Sequence, residues 1–187
     1  MHLHIKNMVC DRCIMVVNQQ LAALGFTVAR SVLGQVEINE SPDETGLSKL
    51  RSALKLLGFE LIDQKRDQLV ERIKNVIVEM VHHTDPDDIR INYSDFISSR
   101  LDIDYSYLSS LFSESEDITI EKYIINQKIE KVKELLEYDE LNLNQIALKM
   151  GYSSTAHLST QFKNVTGITP SKFKLLESKK RKPLDQI

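Results

Sequence analysis

The sequence predicts an α+β protein built from a βαββαβ sandwich, a connecting helix and an all-α region. Short alternating runs and helical stripes follow one another over residues 1–64, a long stripe begins at residue 65, and one helical pattern occurs twice after residue 90. These three observations divide the chain into predicted segments 1–64, 65–89 and 90–187.

The composition is that of a folded protein. The chain has 187 residues, of which 42% are hydrophobic and 27% charged, enough for two small domains with a core each. No apolar run approaches the ~18 residues that a membrane-spanning helix needs, and the first residues lack a signal-peptide pattern. We therefore expect a cytoplasmic protein with no membrane partner.

The first segment begins with a strand and contains two amphipathic helices. Leu3 and Ile5 alternate with polar residues, which predicts a strand with one apolar face. Two helical stripes follow and end at Gly25 and Gly58, because glycine favours helix C-termini. The stripes consist of Ile14, Val17, Leu21 and Leu24, and of Leu47, Leu50, Leu54 and Leu57.

The remaining strands of this segment complete the sheet. Val28–Val32 and Val36–Ile38 flank Gly34-Gln35 and predict a hairpin between the two helices, and Phe59–Ile62 is a last short strand. The order is therefore βαββαβ. Two helices that cover one face of a four-stranded sheet predict a ferredoxin-like sandwich.

An apolar stripe predicts a connecting helix from Lys65 to His83, ended by Asp85-Pro86. Its members are Leu69, Ile73, Val76, Ile77 and Met80. Such a face packs on its own chain, which is the commoner case, or forms the seam of a homodimer. We expect His82 and His83 to be solvated or to interact with the helix dipole rather than to bind metal.

The all-α region contains an internal repeat at an offset of 50 residues. Residues 107–112 align with 157–162, with Leu, Ser and Phe identical, and the Ile-Thr pair at 118–119 recurs at 168–169. A helix from about Glu121 to Glu137 joins the two copies. Its apolar stripe is Ile125, Ile129, Val132 and Leu136.

The second copy has the pattern of a helix, a turn with glycine, and a second helix. Asn142 and Gln145 have capping-box spacing, Gly151 allows a sharp turn, and Ser153 is predicted to cap the second helix. This is the helix-turn-helix pattern.

The second of these helices is predicted to bury Leu158 and Phe162. Its outward face carries small polar or basic side chains, which allow the helix to enter a major groove about 12 Å wide. They are Thr155, His157, Ser159, Thr160 and Lys163.

These motifs resemble the second helix-turn-helix of the AraC family of transcription factors. They are Ile146-Ala147, Gly151-Tyr152-Ser153, Leu158-Ser159, Phe162-Lys163, Thr166-Gly167 and Thr169-Pro170-Ser171. The resemblance spans roughly residues 91–175 and includes both copies. It implies an AraC-type double helix-turn-helix, whose two recognition helices enter successive major-groove segments of double-stranded DNA. By position, it implies base contacts from Thr155, Ala156, His157, Ser159 and Thr160, and phosphate contacts from Ser154 and Lys163.

The two copies differ in charge. Residues 90–140 carry 6 basic and 12 acidic side chains, whereas residues 141–187 carry 8 and 2. The basic run Lys179-Lys180-Arg181-Lys182 is a predicted electrostatic footprint for DNA.

Ser110 and Thr160 stand where the family commonly has arginine, and acidic residues in the first copy repel phosphate. We therefore expect the second copy to be the main DNA contact; weaker candidates are Tyr105, Ser106, Ser109 and Ser110.

Two cysteines, Cys10 and Cys13, lie between the first strand and the first helix. A helix N-terminus favours thiolates, and two soft thiolates suit two-coordinate Cu(I) better than zinc, which normally takes four ligands. His2 and His4 precede the loop by several residues of extended chain and are expected to lie far from it. Met8 is expected to anchor the loop by packing rather than to bind metal.

The Met8-x-Cys10-x-x-Cys13 loop in this βαββαβ order resembles the heavy-metal-associated (HMA) domain of copper chaperones and copper-transporting ATPases, over about residues 1–63. Phe59 matches an aromatic residue often found near that metal loop. The sequence departs from the family at Asn7, usually glycine, and at Val9, usually a small or hydroxyl residue. The resemblance implies Cys10 and Cys13 as metal ligands.

These patterns predict a DNA-binding transcriptional regulator that responds to a soft metal ion such as Cu(I), with no other cofactor. No catalytic constellation is evident, so we expect no enzyme. Two alternatives remain: a copper-binding chaperone or interaction protein without specific DNA binding, and a dithiol redox sensor on the same DNA-binding domain. The cysteines can also be thiols without a ligand in a packing domain. AraC-like units bind DNA as monomers or dimers, which leaves a homodimer open.

Overall fold

The computed structural model describes residues 1–84, 92–176 and 181–187. The chain divides into two compact units, Met1–Val76 and Ile77–Ile187. Within the described ranges, none of the helices combines the length and the apolar character that crossing a bilayer requires.

The first unit has the predicted order βαββαβ. Its elements are β1 (His2–Lys6), α1 (Asp11–Ala23), β2 (Val28–Val32), β3 (Gln35–Ile38), α2 (Glu44–Leu56) and β4 (Glu60–Ile62). The strands form a small antiparallel sheet in the order β4-β1-β3-β2, and His4 of β1 pairs with Gln35 and with Ile62. The predicted hairpin of β2 and β3 is therefore confirmed.

The predicted apolar stripes form the core of this unit. Leu3 and Ile5 are buried on one face of β1, as their alternation with polar residues requires. The helices cover that core with Val17 and Leu21 of α1 and with Leu50 and Leu54 of α2. Apolar residues recur at every second position on the strand and about every 3.6 positions on the helices. Both spacings therefore direct apolar side chains into the same core.

Helix α3 (Lys65–Val78) starts within the first unit. Glu71 is buried, and its Oε1 accepts the backbone N–H of Asn7 at 3.1 Å. A Cβ built on Gly34 would lie 2.0 Å from Nδ2 of Asn75, so α3 also passes close to the turn between β2 and β3. The first part of the predicted connecting helix is therefore packed on the N-terminal sheet.

The second unit contains one helical pattern twice. Its elements are α4 (Tyr93–Leu101), α5 (Tyr105–Glu116), α6 (Ile120–Tyr138), α7 (Leu143–Lys149), α8 (Thr155–Thr166) and α9 (Pro170–Lys174), with a short 3-10 turn at Leu184–Gln186. Helices α5 and α8 start and stop 50 residues apart. Thr119 and Thr169 cap α6 and α9 with the same side-chain hydrogen bond. The predicted duplication is confirmed.

The connecting helix changes geometry before its predicted end. Helix α3 ends at Val78, and a π-helical turn, Glu79–His83, continues it. His82 Nε2 donates to Oε1 of Gln127 in α6 at 2.9 Å, and burial lowers the pKa of His82 to about 4. The expectation that His82 is solvated is therefore wrong, because its neutral ring is a packed hydrogen-bond partner. The predicted stop at Asp85-Pro86 lies outside the described residues.

Asn142→Ala should lower the free energy of unfolding by about 1 kcal/mol, because the Asn142 side chain accepts the Gln145 N–H at 3.0 Å and completes a capping box. Asn92→Ala is the matched control. Asn92 caps α4, the equivalent helix of the first copy, but its side chain makes no capping hydrogen bond there. Urea unfolding followed by circular dichroism measures both variants; equal losses would contradict this assignment.

Candidate functional site

The turn between α7 and α8 has the geometry that the sequence predicts. The capping box of Asn142 and Gln145 starts α7. Gly151 takes a φ of 68°, in the left-handed region that favours glycine, and the Tyr152 N–H donates to the Ala147 carbonyl at 2.9 Å. The chain therefore turns after α7 and begins α8 within a few residues, which is the helix-turn-helix order.

The residue that caps α8 is Ser154, and the prediction of Ser153 is wrong. Ser154 is extended, with φ −163° and ψ 161°, and its Oγ accepts the backbone N–H of His157 at 3.1 Å. A cap is the last residue before the backbone becomes helical, which places it one position later than predicted. The hydroxyl of Ser153 instead lies 3.3 Å from Nδ1 of His157.

Helix α8 has one buried face and one exposed face. Leu158 and Phe162 are fully buried, as predicted. The candidate DNA-contacting residues lie on the remainder of the helix. Ser154, Ala156, His157, Thr160 and Lys163 are exposed, and Thr155 and Ser159 are half-buried. The seven candidates of the second copy thus extend from the N-cap of α8 to its last turn, away from the buried Leu158 and Phe162.

An aromatic side chain that the sequence did not predict supports this face. The ring of Tyr152 meets the His157 ring edge-on, with centroids 5.3 Å apart, and its hydroxyl donates to Gln161 Oε1 at 2.6 Å. The Lys128 Nζ lies 4.4 Å from the centroid of the same ring. Burial raises the pKa of the Tyr152 hydroxyl, which therefore remains a donor. The Tyr152 ring, against which His157 packs, is therefore itself held by its contacts with Gln161 and Lys128.

Helices α5 and α8 have equivalent bounds in the two copies, but α5 has a different surface. Ser106 and Ser110 are exposed on α5, and Ser109 is half-buried. The Ser106 hydroxyl donates to Asp104, and the Tyr105 hydroxyl donates to Glu121 at 2.6 Å. Tyr105 and Ser106 are therefore hydrogen-bonded to carboxylates of their own chain.

The carboxylate that caps α5 stays charged. Hydrogen bonds from the Ser106 hydroxyl and from the backbone of Tyr107 and Ser106 lower the pKa of Asp104. A negative charge at the start of α5 would oppose the approach of a phosphate. Ser154, the equivalent cap of α8, is neutral.

Part of the basic C-terminal run contacts the protein itself. Arg181 pairs with Glu134 at 2.9 Å and with Glu137 at 3.8 Å, both on α6. The Lys182 backbone N–H donates to Glu130, which also pairs with Lys133 in the interior. The sequence predicted Arg181 as part of a DNA footprint and did not predict these ion pairs with α6. Lys179 and Lys180 lie outside the described residues.

The two cysteines lie at the start of α1. Cys10 is the N-cap residue and Cys13 belongs to the first turn, with their Sγ atoms 3.4 Å apart. Burial works to raise the pKa of Cys10, but hydrogen bonds to its sulfur from Cys13 and from the Arg12 backbone lower the pKa below its ordinary value. Burial raises the pKa of Cys13. Cys10 is therefore the first of the two to become a thiolate.

The residues around the cysteines fix the loop. Met8 is fully buried in the core of the first unit, consistent with a hydrophobic anchor. Asn7 takes a φ of 72°, a left-handed conformation that asparagine tolerates, and its Nδ2 donates to the Gly58 carbonyl at 2.9 Å. Asparagine can therefore adopt the left-handed conformation that this position requires.

His2 of β1 lies beside residues of β3. His2 Nδ1 is 3.4 Å from Gln35, and its Nε2 is 4.0 Å from Glu37. Burial, followed by the charge of Arg72, lowers the pKa of His4. Over the part of the chain that the structure describes, no three or more His, Cys, Asp or Glu side chains gather as a metal-binding group.

Comparisons with known proteins found similarity to the second unit. A family model described as a helix-turn-helix domain matches residues 97–175. The Msm operon regulatory protein of Streptococcus mutans is 30% identical over 100 residues, which cover 54% of this chain and 35% of that protein. The probable transcriptional regulator LumQ of Photobacterium leiognathi is 25% identical over 143 residues, which cover 73% of this chain and 55% of LumQ. The chain thus spans about half of these relatives' length or less.

Two solved structures are also similar. The C-terminal domain of AraT, a response regulator from Geobacillus stearothermophilus, is 24% identical with a TM-score of 0.49, over 59% of this chain and 87% of that domain. The C-terminal domain of the two-component response regulator yesN from Fusobacterium nucleatum is 31% identical with a TM-score of 0.46, over 55% of this chain and 93% of that domain.

Residues 97–175 thus match a helix-turn-helix domain, and relatives that the chain resembles are named as regulatory proteins or transcriptional regulators. This match falls within residues 91–175, the region in which the sequence predicts the helix-turn-helix pattern.

In the reduced, metal-free protein, Cys10 should be alkylated by iodoacetamide at lower pH than Cys13, because the thiolate is the nucleophile and the pKa of Cys10 is the lower one. Site-resolved mass spectrometry after short pulses from pH 6 to 10 measures the order. Alkylation under 6 M urea is the control, in which the difference should vanish. Preferential alkylation of Cys13 in the folded protein would contradict the assigned pKa order.

Proposed function

We propose that this chain is a sequence-specific DNA-binding transcriptional regulator whose second helix-turn-helix is the main contact with DNA. The observation that carries this proposal is α8 itself. Its two large apolar residues are fully buried, and its opposite side presents small polar side chains with Lys163 beside them. A helix of this kind fits the major groove, where hydroxyl and imidazole groups reach base edges and an ammonium group reaches phosphate.

The first helix-turn-helix contributes less in this proposal. Its cap, Asp104, is charged, and the side chains of Tyr105 and Ser106 already donate to carboxylates. Ser109 and Ser110 remain as the weaker candidates. Because phosphate contacts supply much of the affinity for DNA, a helix without Lys or Arg, such as α5, would position the protein less strongly.

We propose that the N-terminal unit is a ferredoxin-like sandwich of the heavy-metal-associated type. The strand order β4-β1-β3-β2 and the two covering helices support the fold. Two sulfur atoms 3.4 Å apart are close enough to share one soft ion, since a metal–sulfur bond is about 2.3 Å long. Cys10, the more readily ionised thiol, and Cys13 would hold Cu(I), which their soft sulfurs favour.

A contact between the cysteine loop and α3 supports a regulatory role for this site. Asn7, which begins the loop, donates its backbone N–H to Glu71 of α3, and Glu71 is buried. The cysteine loop is therefore hydrogen-bonded to the helix that leads toward the second unit. In this proposal, Cu(I) changes DNA affinity because it binds one arrangement of the loop and α3 better than another.

A dithiol redox sensor is a second candidate. The 3.4 Å separation of the sulfur atoms leaves only a short movement to a disulfide, whose S–S bond is about 2.05 Å. A protein that senses redox state through these residues would change its DNA affinity on oxidation without copper.

Lys163→Ala should weaken binding to a duplex from the neighbouring promoter and lower the slope of log affinity against log salt by about 0.9, the change expected for one lost phosphate contact. Fluorescence anisotropy over a salt series measures both quantities. Lys55→Ala removes the same charge from α2 of the N-terminal unit and should leave the slope unchanged. Equal slopes for wild type and Lys163→Ala would show that Lys163 does not contact a phosphate.

Thr160→Ala and Ser110→Ala compare the two copies at equivalent positions. Thr160→Ala should weaken specific binding severalfold, whereas Ser110→Ala should change it less than twofold, because α8 is the proposed main contact. The same anisotropy assay applies, with non-specific duplex as competitor. A larger loss of specific affinity for Ser110→Ala than for Thr160→Ala would mean that the first copy makes the main contact.

Anaerobic titration with Cu(I) against a chromophoric chelator should show one tight site in the wild type and none in the Cys10→Ser/Cys13→Ser variant. His2→Ala should bind as tightly as the wild type, because His2 lies at Gln35 rather than at the cysteines. DNA affinity is then measured with Cu(I) and, separately, with diamide as oxidant. Equal uptake of Cu(I) by the double variant would exclude the dithiol site, and a response to diamide alone would favour the redox sensor.

A further inference from the structure

We propose that His157 is a specificity-determining residue that recognises guanine, through an Nε2–H that donates to the major-groove edge of the base. The proposal rests on the proposed DNA binding and adds the class of base that one side chain selects. It also assigns Ser153 and Tyr152 as positioning residues for the imidazole.

The position of His157 suits contact with a base edge. It is the third residue of α8, near the helix N-terminus, and its side chain is exposed. In helix-turn-helix proteins, the N-terminal residues of the second helix are those that contact base edges. Leu158, the next residue, is fully buried, so the backbone at this point of α8 is fixed to the core.

The imidazole is held in one orientation by two neighbours. Its Nδ1 lies 3.3 Å from the Ser153 hydroxyl, and its ring stands nearly perpendicular to the Tyr152 ring, at 88°. The Tyr152 ring is in turn held by Gln161 and by the ammonium of Lys128. An oriented side chain loses less conformational entropy on binding, so its hydrogen bond to a base contributes more.

The hydrogen bond with Ser153 determines which ring atom reaches the DNA. In this proposal the Ser153 O–H donates to Nδ1, 3.3 Å away, and an imidazole whose Nδ1 accepts carries its proton on Nε2. Nε2, on the opposite side of the ring, is then a donor toward the base.

A donor at this position favours guanine over the other bases. Guanine presents two adjacent acceptors, N7 and O6, in the major groove. Adenine places an N6–H₂ donor beside its N7, and cytosine presents only a donor, so both oppose an N–H group. Thymine offers a single acceptor, O4, next to its bulky methyl group.

The first copy lacks this arrangement. At an offset of 50 residues, Tyr107 stands in place of His157, and Asp102 and Ile103 stand in place of Tyr152 and Ser153. Asp102 offers no aromatic ring and Ile103 no hydroxyl. The guanine preference therefore belongs to the second copy alone, within the part of the chain that the structure describes.

The test starts from a random duplex library selected with the full-length protein. The wild type should yield a site with one position at which guanine dominates and at which His157→Ala loses the preference. 7-Deazaguanine at that position removes only the N7 acceptor. It should weaken wild-type binding about fivefold, as expected for one hydrogen bond, and leave His157→Ala unchanged. Circular dichroism confirms that the exposed substitution leaves the fold intact.

Substitutions at two neighbouring serines distinguish the positioning of the His157 ring, by Ser153, from the capping of α8, by Ser154. Ser153→Ala should reduce discrimination at the guanine position while binding to other sequences stays constant. Ser154→Ala removes the cap of α8 and should weaken binding to all sequences alike. ¹⁵N shifts of the His157 ring should show the proton on Nε2 in the wild type.

Each outcome bears on a separate claim. Binding without any sequence preference would overturn both the proposed function and this inference. A sequence-specific site whose every position is unaffected by His157→Ala would overturn this inference alone. A His157-dependent preference for adenine, thymine or cytosine, or equal sensitivity of wild type and His157→Ala to 7-deazaguanine, would overturn the assignment of guanine.

Discussion

The arrangement of the second unit depends on the burial of two side chains of α8, Leu158 and Phe162, against α6. Both are fully buried in one cluster with Ile129 and Val132 of α6, and the Phe162 ring meets the Phe173 ring of α9 at 5.6 Å. Because apolar cores are close-packed, this contact leaves α8 little freedom to rotate about its axis. The side that carries the candidate DNA contacts is therefore exposed as a consequence of the packing of the other side.

Helix α6 is also the point at which distant segments of the second unit meet. Buried Gln127 accepts from His82 of the π-helical turn, and its Nε2 donates to the Tyr123 hydroxyl and to the Leu184 carbonyl. Arg181 pairs with Glu134 on the same helix. A buried polar network of this kind specifies one arrangement, since each partner left unsatisfied would carry a desolvation cost. The end of the connecting helix and the C-terminal segment thus share one helix as their support.

The two helix-turn-helix copies show that a duplicated core does not imply a duplicated surface. Helices α5 and α8 agree in their bounds and in the buried leucine and phenylalanine of each, Leu108 and Phe112 in the first copy. Their exposed faces differ in charge and in hydrogen bonding, because surface residues are not constrained by the packing. The fold of the unit is therefore a property of both copies, whereas the proposed contact with DNA belongs mainly to one.

Much of the local structure could be predicted from the order of residues alone. The periodicity of apolar residues indicated the strands and helices, glycines marked the helix ends, and the offset of 50 residues revealed the duplication. These features depend on interactions between residues that are close in sequence, or on one face of one element. The cysteine pair and the candidate residues of α8 belong to this group, because each set lies within a single loop or helix.

The tertiary structure decided which side chains are partners. Asn7 and Glu71 are 64 residues apart, His82 and Gln127 are 45 apart, and Arg181 and Glu134 are 47 apart. Such pairs leave no periodic trace, because their contact depends on how whole elements pack. The ring of Tyr152 under His157 and the cap at Ser154 rather than Ser153 have a similar origin, since both follow from the path of the turn after Gly151. Sequence determined the elements and the faces of each helix, and packing determined the neighbours that each polar side chain acquires.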